Sequence, residues 1–271
     1  MTPRLETAFY DIGRLDSLSQ LDTPAHRLDP RAKVATTFFF VVAVVSCGKY
    51  EIAALLPFFL FPAAAIGLAN LPTGYLLRKL LLVSPFVLFI GIFNPILDRE
   101  TLMNIAGLDI SGGWISFASL VLKFMLTVGA ALLLIATTGF PAICMALNKL
   151  GAPRIFTVQL LMLYRYLFVL IEEGIRMIRA HSLRSFSGRR VRLRTFLQLL
   201  GNLLLRTLDR AQRIHMAMLS RAFTGEIHLA GKYNFKTGEA LFLMASLALI
   251  AVFRFTDITR IIGSLILEVG P

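Results

Sequence analysis

A chain of 271 residues in which 56% are hydrophobic and 16% charged, with mean hydropathy +0.72, is too apolar for a soluble domain, where about a quarter of residues are charged. Its formal net charge of +12 would suit nucleic acid, anionic lipid or a protein partner, but no nucleic-acid reading module or aromatic stacking platform accompanies the arginines. Its two cysteines, Cys47 and Cys144, lie far apart in apolar or interfacial runs and read as small packing residues, not a disulfide framework.

In chain order, residues 1–33 alternate charge, proline and turn residues with no apolar centre, so no secretory signal peptide is expected and this segment is assigned to the cytoplasm. Within it, Leu28-Asp29-Pro30-Arg31 reads as a turn and helix start, because Asp29 suits an N-cap and Pro30 the first helical position. Asp29, Pro30 and Arg31 are assigned to packing or the membrane surface. Five apolar runs then approach the ~20 residues needed to cross a hydrocarbon core: Val34–Gly48, Ile52–Ala69, Leu80–Leu97, Ile115–Thr138 and Ala240–Phe255. Pro57, Pro62, Pro85 and Pro95 fall inside the second and third and predict kinks there. The expected fold class is therefore all-α, a polytopic membrane protein of about five transmembrane helices plus a cytoplasmic module of amphipathic coupling helices. Residues 1–33 form the N-terminal segment, 34–171 the first four spans and an interfacial helix, 172–236 the arginine-rich helices, and 237–271 the last span and tail.

Charge sets the orientation, since Lys and Arg concentrate in cytoplasmic loops. From Glu172 to Lys236 thirteen basic residues face four acids, which is +9 of the +12, so this window is cytoplasmic. Arg78 and Lys79 fit the same side, whereas Asp98–Trp114, with three acids and one arginine, suits the outside. Five spans from a cytoplasmic N-terminus leave the C-terminus outside. Within the basic window Leu193, Phe196, Leu197, Leu200, Leu203 and Leu204 open an apolar stripe that continues at helical spacing through Leu208, Ala211, Ile214 and Met218. Arg206, Arg210 and Arg213 take the other face, and at 100° per residue Arg221 falls within about 20° of Arg210. Two such helices end alike: Leu183-Arg184-Ser185 is followed by Phe186 and Gly188, and Ser220-Arg221-Ala222 by Phe223 and Gly225. An arginine there stays charged and can grip a carboxylate bidentately, while a small neighbour admits a partner's backbone. Arg189, Arg190, Arg192 and Arg194 are assigned to anionic headgroups, at about 1 kcal/mol each.

LDPRAKV (Leu28–Val34), EEGIRMIRAHSLRSF (Glu172–Phe186) and HMAMLSRAFTGEI (His215–Ile227) together resemble the CbiQ-type transmembrane T component of energy-coupling factor ABC transporters, the cobalt-uptake branch, over about Tyr10–Phe253. In that family two coupling helices carry Ala-Arg-Gly or Ala-Arg-Ser motifs whose arginines insert into grooves of two ATPase subunits. Carried over, the motifs are Leu183-Arg184-Ser185 and Ser220-Arg221-Ala222, with leucine replacing the first alanine, and serine and alanine replacing alanine and glycine. The resemblance implies two CbiO-like ABC-type ATPase partners that hold ATP and Mg, a CbiM-like substrate-binding membrane subunit, and a small accessory membrane subunit. It also implies a place in the bacterial plasma (inner) membrane, and transmission of ATP-driven motion for cobalt uptake, or in the same role for nickel or a vitamin.

No cofactor is expected on this chain. His26, His181, His215 and His228 are scattered with no i, i+4 pair, so no metal site is expected. Met216 and Met218, two apart, point to different helix faces. There is no Gly-x-x-x-x-Gly-Lys-[Ser/Thr] phosphate loop, so ATP hydrolysis belongs to a partner. No acid lies within the expected spans, which speaks against an intramembrane hydrolase and a proton-driven carrier. An integral-membrane enzyme and a passive membrane anchor are the alternatives.

Overall fold

The computed structural model describes residues 16, 18–97, 101–105, 108–184, 193–225 and 237–255. Its helices are α1 (Pro24–Arg27), α2 (Pro30–Ser46), α3 (Ile52–Leu55), a 3-10 turn (Pro57–Phe59), α4 (Leu60–Ala69), α5 (Thr73–Gly91), α6 (Asn94–Leu97), α7 (Gly112–Thr138), α8 (Phe140–Lys149), α9 (Arg154–Arg184), α10 (Leu193–Leu219) and α11 (Thr237–Phe255). Strands β1 (Thr101–Ile105) and β2 (Leu108–Ser111) pair antiparallel, Ile105 opposite Leu108, in the stretch expected to be an outside loop. The other regular elements among the described residues are all helices, as the fold class requires. Its described residues form two compact units, divided after Gly139 and again between 232 and 233.

In the unit containing residues 18–139 and 237–255, α7 is the common partner of α2, α3, α4 and α5, and α11 packs on α2. Twenty-seven residues make α7 about 40 Å long at 1.5 Å per residue, more than the ~30 Å of a hydrocarbon core. Its buried positions include Gly112, Gly113, Ser116, Ser119, Ala130 and Ala136, and small residues of this kind let neighbouring helices approach closely where lipid offers no hydrophobic drive. At Gly91 of α5 the approach is tightest, since a Cβ built there would lie 2.7 Å from Cδ2 of Phe117 on α7. The core proper is Phe40, Val44, Leu55, Phe58, Leu126 and Ile250. The Phe40 ring stacks on Phe61 at 4.6 Å and meets Phe58 edge-on at 5.8 Å.

Asp29 caps α2, its Oδ1 accepting from the Arg31 amide at 2.8 Å, and Pro30 takes the first turn. Lys33 is buried there, and its ammonium donates to the carbonyls of His26 at 3.1 Å and Thr137 at 3.0 Å. The second contact places a cation on the last carbonyls of α7, where the helix dipole favours it. At the other end of α2, Lys123 donates to the Cys47 carbonyl and Arg254 to that of Ser46. Lys123 thus stands within an expected span with its charge aimed at a helix C-terminus.

Among the described residues five runs are long and apolar enough to cross a membrane: Ile52–Ala69, Thr73–Gly91, Gly112–Thr138, Arg154–Arg184 and Thr237–Phe255. The number agrees with expectation but the membership differs. The helix α2, at 17 residues, sits at the short end of the spanning range, about 17 to 25 residues. The helix α5 opens at Thr73 after Pro72 instead of at Leu80, which puts Arg78 and Lys79 inside its second turn. Pro85 lies inside α5, and Pro57 opens the 3-10 turn that interrupts Ile52–Ala69.

Candidate functional site

The two arginine motifs lie at the ends of α9 and α10, in the unit that contains residues 140–184 and 193–225. The helix α9 runs unbroken for 31 residues, across the 171/172 boundary at which the coupling module was expected to begin. Its first half is apolar and its second half carries Glu172, Glu173, Arg176, Arg179 and Arg184. One ring contact anchors it to α8, Phe140 stacking on Tyr164 at 4.7 Å, and within α9 itself Tyr164 meets Phe168 edge-on at 5.1 Å. Glu172 and Arg176 form an i, i+4 pair at 2.5 Å, and Arg206 of α10 reaches Glu173 at 2.7 Å. The Glu173–Arg206 bridge ties the two helices together. It joins residues 33 apart, so no local pattern in the sequence announced it.

Arg184 is the last residue of α9, and its neighbour Leu183 is 81% exposed. Ser185, Arg189 and Arg190 lie outside the described residues, as do Phe186 and Gly188. The second motif is fully described. Phe223 N–H donates to the Met218 carbonyl and Ala222 N–H to that of Leu219, the two bonds of a Schellman motif. In that motif Arg221 is the C-cap and Ala222 the C′ residue, with Ala222 at φ +56°, in the left-handed region that favours glycine. Gly225, at φ +87°, turns the chain again. The Ser220 hydroxyl donates to the Met216 carbonyl at 2.9 Å, which satisfies it within the helix and leaves a small surface beside Arg221. Both Arg184 and Arg221 are exposed, and neither guanidinium has a hydrogen-bond or ion-pair partner among the described residues. The cap chemistry was not read from the sequence, although the Gly225 that follows was a legible stop.

Between α9 and α10 runs a cleft of about 880 Å³, lined on one side by Val158, Met162, Leu163 and Leu170 and on the other by Arg206, Asp209, Arg210 and Arg213. This cleft was not anticipated. Among the described residues no three His, Cys, Asp or Glu side chains come together as a metal site would need. His26 is engaged elsewhere, with Nδ1 2.6 Å from the Thr23 hydroxyl and Nε2 3.1 Å from the Leu18 carbonyl. The carbonyl can only accept, so Nε2 carries the proton and the hydroxyl donates to Nδ1. Burial first, and the Lys33 charge second, lower the His26 pKa below its ordinary 6.5. His181 and His215 are on α9 and α10, and His228 lies outside the described residues.

The CbiQ family model, described as a cobalt transport protein, matches residues 22–230. The chain belongs to the CbiQ family. Among its relatives, the cobalt transport protein CbiQ of Salmonella typhimurium is 28% identical over 153 residues, covering 52% of this chain and 68% of that protein. The energy-coupling factor transporter transmembrane protein EcfT of Bacillus subtilis is 26% identical over 250 residues, 85% of this chain and 92% of that protein. EcfT of Heliobacterium modesticaldum is 29% identical over 221 residues, 76% and 82% respectively. With five helices apolar and long enough to span, this CbiQ-family chain is a multi-pass membrane protein and a CbiQ-type transmembrane component of a transporter.

Proposed function

We propose that this CbiQ-family protein couples ATPase motion to substrate uptake through Arg184 and Arg221, and that its cargo is cobalt. The observation that carries the reading is the pair of exposed guanidiniums at the C-terminal ends of α9 and α10, each without an intramolecular partner among the described residues. An arginine held ready in this way has no intramolecular partner to give up, and it presents a rigid fork whose pairing with an acidic groove offsets the water it loses. Two ABC-type ATPases close on ATP, carry the two helix ends with them, and the Glu173–Arg206 bridge makes α9 and α10 move as a pair. The spanning helices pass this motion to a separate substrate-binding membrane subunit. The chain transmits work and performs no chemistry, and the 172–236 window faces the cytoplasm.

Once buried in a groove, an arginine–carboxylate pair loses about 2–5 kcal/mol when one partner is truncated, against about 0–1 kcal/mol for a pair left on the surface. Co-purification of the tagged chain is expected to bring down an ABC-type ATPase, and Arg184→Glu with Arg221→Glu to release it. Retention of the ATPase by the double variant would refute the docking role. A second reading keeps the mechanism and changes the cargo to nickel or a vitamin, supported by relatives named for an energy-coupling factor transporter and for no ion. Metal-uptake assays with each ion decide between the two.

A further inference from the structure

Apart from the Glu173–Arg206 bridge that closes one part of it, the cleft between α9 and α10 takes no part in the coupling proposed above, and its two walls differ in chemistry. The α9 wall, with Val158, Met162, Leu163 and Leu170, belongs to a run apolar enough to cross a membrane. The α10 wall carries Arg206, Arg210 and Arg213, with Asp209 among them and Glu173 opposite. Glu173 is already matched by Arg206 at 2.7 Å. Arg210, Arg213 and Asp209 have no ion pair or hydrogen bond from their side chains among the described residues, so two cations and one acid line the cleft uncommitted. The volume, about 880 Å³, falls within the roughly 300–1,000 Å³ of clefts that bury a small ligand.

We infer that this cleft binds one anionic phospholipid, its phosphate held by Arg210 and Arg213 and an acyl chain lying along the α9 wall. Charge complementarity chooses the occupant. A hydrocarbon chain matches the Val158–Leu170 side, and a phosphate offers the geometry that guanidinium forks take bidentately. A zwitterionic headgroup brings its own cation to the same arginines and loses the advantage. The site differs from a diffuse basic surface because it places two specified arginines against an apolar wall. It does not depend on ATPase docking, so it stands or falls separately from the coupling reading.

The test is native mass spectrometry of the full chain in neutral detergent, titrated with phosphatidylglycerol or phosphatidylcholine. The wild type is expected to retain one phosphatidylglycerol at concentrations where phosphatidylcholine is lost. Arg210→Gln with Arg213→Gln is expected to weaken that binding about thirtyfold, which is about 2 kcal/mol at ~1.4 kcal/mol per factor of ten and ~1 kcal/mol per arginine. Leu167 also lines the cleft, and Leu167→Trp, which fills it and keeps both arginines, is expected to expel the lipid as well, so the site is also tested with its charge intact. Arg189→Gln with Arg190→Gln, which removes two cations assigned to diffuse headgroup attraction, is expected to lower overall phosphatidylglycerol association only severalfold and to keep the one-lipid preference over phosphatidylcholine. Equal retention of the two lipids, undiminished binding in the Arg210/Arg213 variant, or an equal loss in the Arg189/Arg190 variant would each overturn the site.

Discussion

Two glycines in neighbouring helices offer a controlled measurement of how tightly α5 and α7 pack. Gly67 in α4 has nothing within 4 Å of where a Cβ would stand, whereas at Gly91 that atom would meet Phe117 Cδ2 at 2.7 Å and Cε2 at 2.8 Å. Either glycine becoming alanine gains helix propensity of about 0.8–1.0 kcal/mol, so this contribution largely cancels when the variants are compared. What remains is the crowding at Gly91. An approach under 3.0 Å forces a shift and ordinary contact begins at 3.4 Å, so the Phe117 ring must retreat by at least 0.3 Å, and by 0.7 Å to reach ordinary contact, the differences of 3.0 and 3.4 from 2.7. Trp114 meets that ring edge-on at 6.1 Å between centroids, and Leu120 Cδ2 already stands 3.4 Å from the added Cβ. Overpacking of this kind costs about 1–3 kcal/mol, and for a chain of this size about 2–4 °C of thermal midpoint per kcal/mol. Trp114 is the one tryptophan in the sequence, so its fluorescence in detergent reports the unfolding midpoint and the contact itself. We expect Gly91→Ala to melt below Gly67→Ala by that margin with an altered emission maximum, and Phe117→Leu to restore much of the loss. A Gly91→Ala variant as stable as Gly67→Ala, with unchanged emission, would refute the close approach.

Lys33→Met removes the donor to the buried ends of α1 and α7, and the orphaned carbonyls are expected to cost about 1–3 kcal/mol, read as a lower thermal midpoint. Ala222→Gly relieves a left-handed alanine worth about 1–2 kcal/mol, partly offset by the ~0.4–1 kcal/mol of extra unfolded-state freedom that glycine brings. Hydrogen exchange at residues 222 and 223 should slow severalfold, and unchanged or faster exchange would contradict the cap. Because the folded-state pKa of His26 lies below its ordinary 6.5, the unfolded chain takes up the proton first. Stability is then complete above about pH 6.5 and declines as pH falls through that value toward the folded-state pKa. A midpoint that drops between about pH 7.5 and 5.5 in the wild type, and drops less in His26→Gln, checks the sign.

Much of the fold was legible because membrane helices announce themselves by length and apolarity. The start of α2 was readable from Asp29-Pro30, and the end of α10 from Gly225. The helix α9 was harder to read, because Gln159 and Arg165 interrupt its apolar first half and glutamates follow at once, so a continuous 31-residue helix looked like an interfacial piece and a separate coupling helix. Long-range partnerships left no local trace: Lys33 with Thr137, Lys123 with Cys47, and Glu173 with Arg206 depend on which helices become neighbours. Of the two arginine triplets, the placement of Arg184 and Arg221 at helix ends was legible from the repeated pattern. That Ala222 occupies a left-handed position was not, since alanine gives no warning of it.

The Lys33 clasp has a consequence for how the protein is made. Its acceptor on Thr137 lies 104 residues downstream. At about 5–20 residues per second the ribosome delivers that carbonyl roughly 5–20 s after the lysine. Throughout that interval the ammonium has only the His26 carbonyl and water to bond, so the first helix lacks its tie to the long central helix until the tail of that helix has been made.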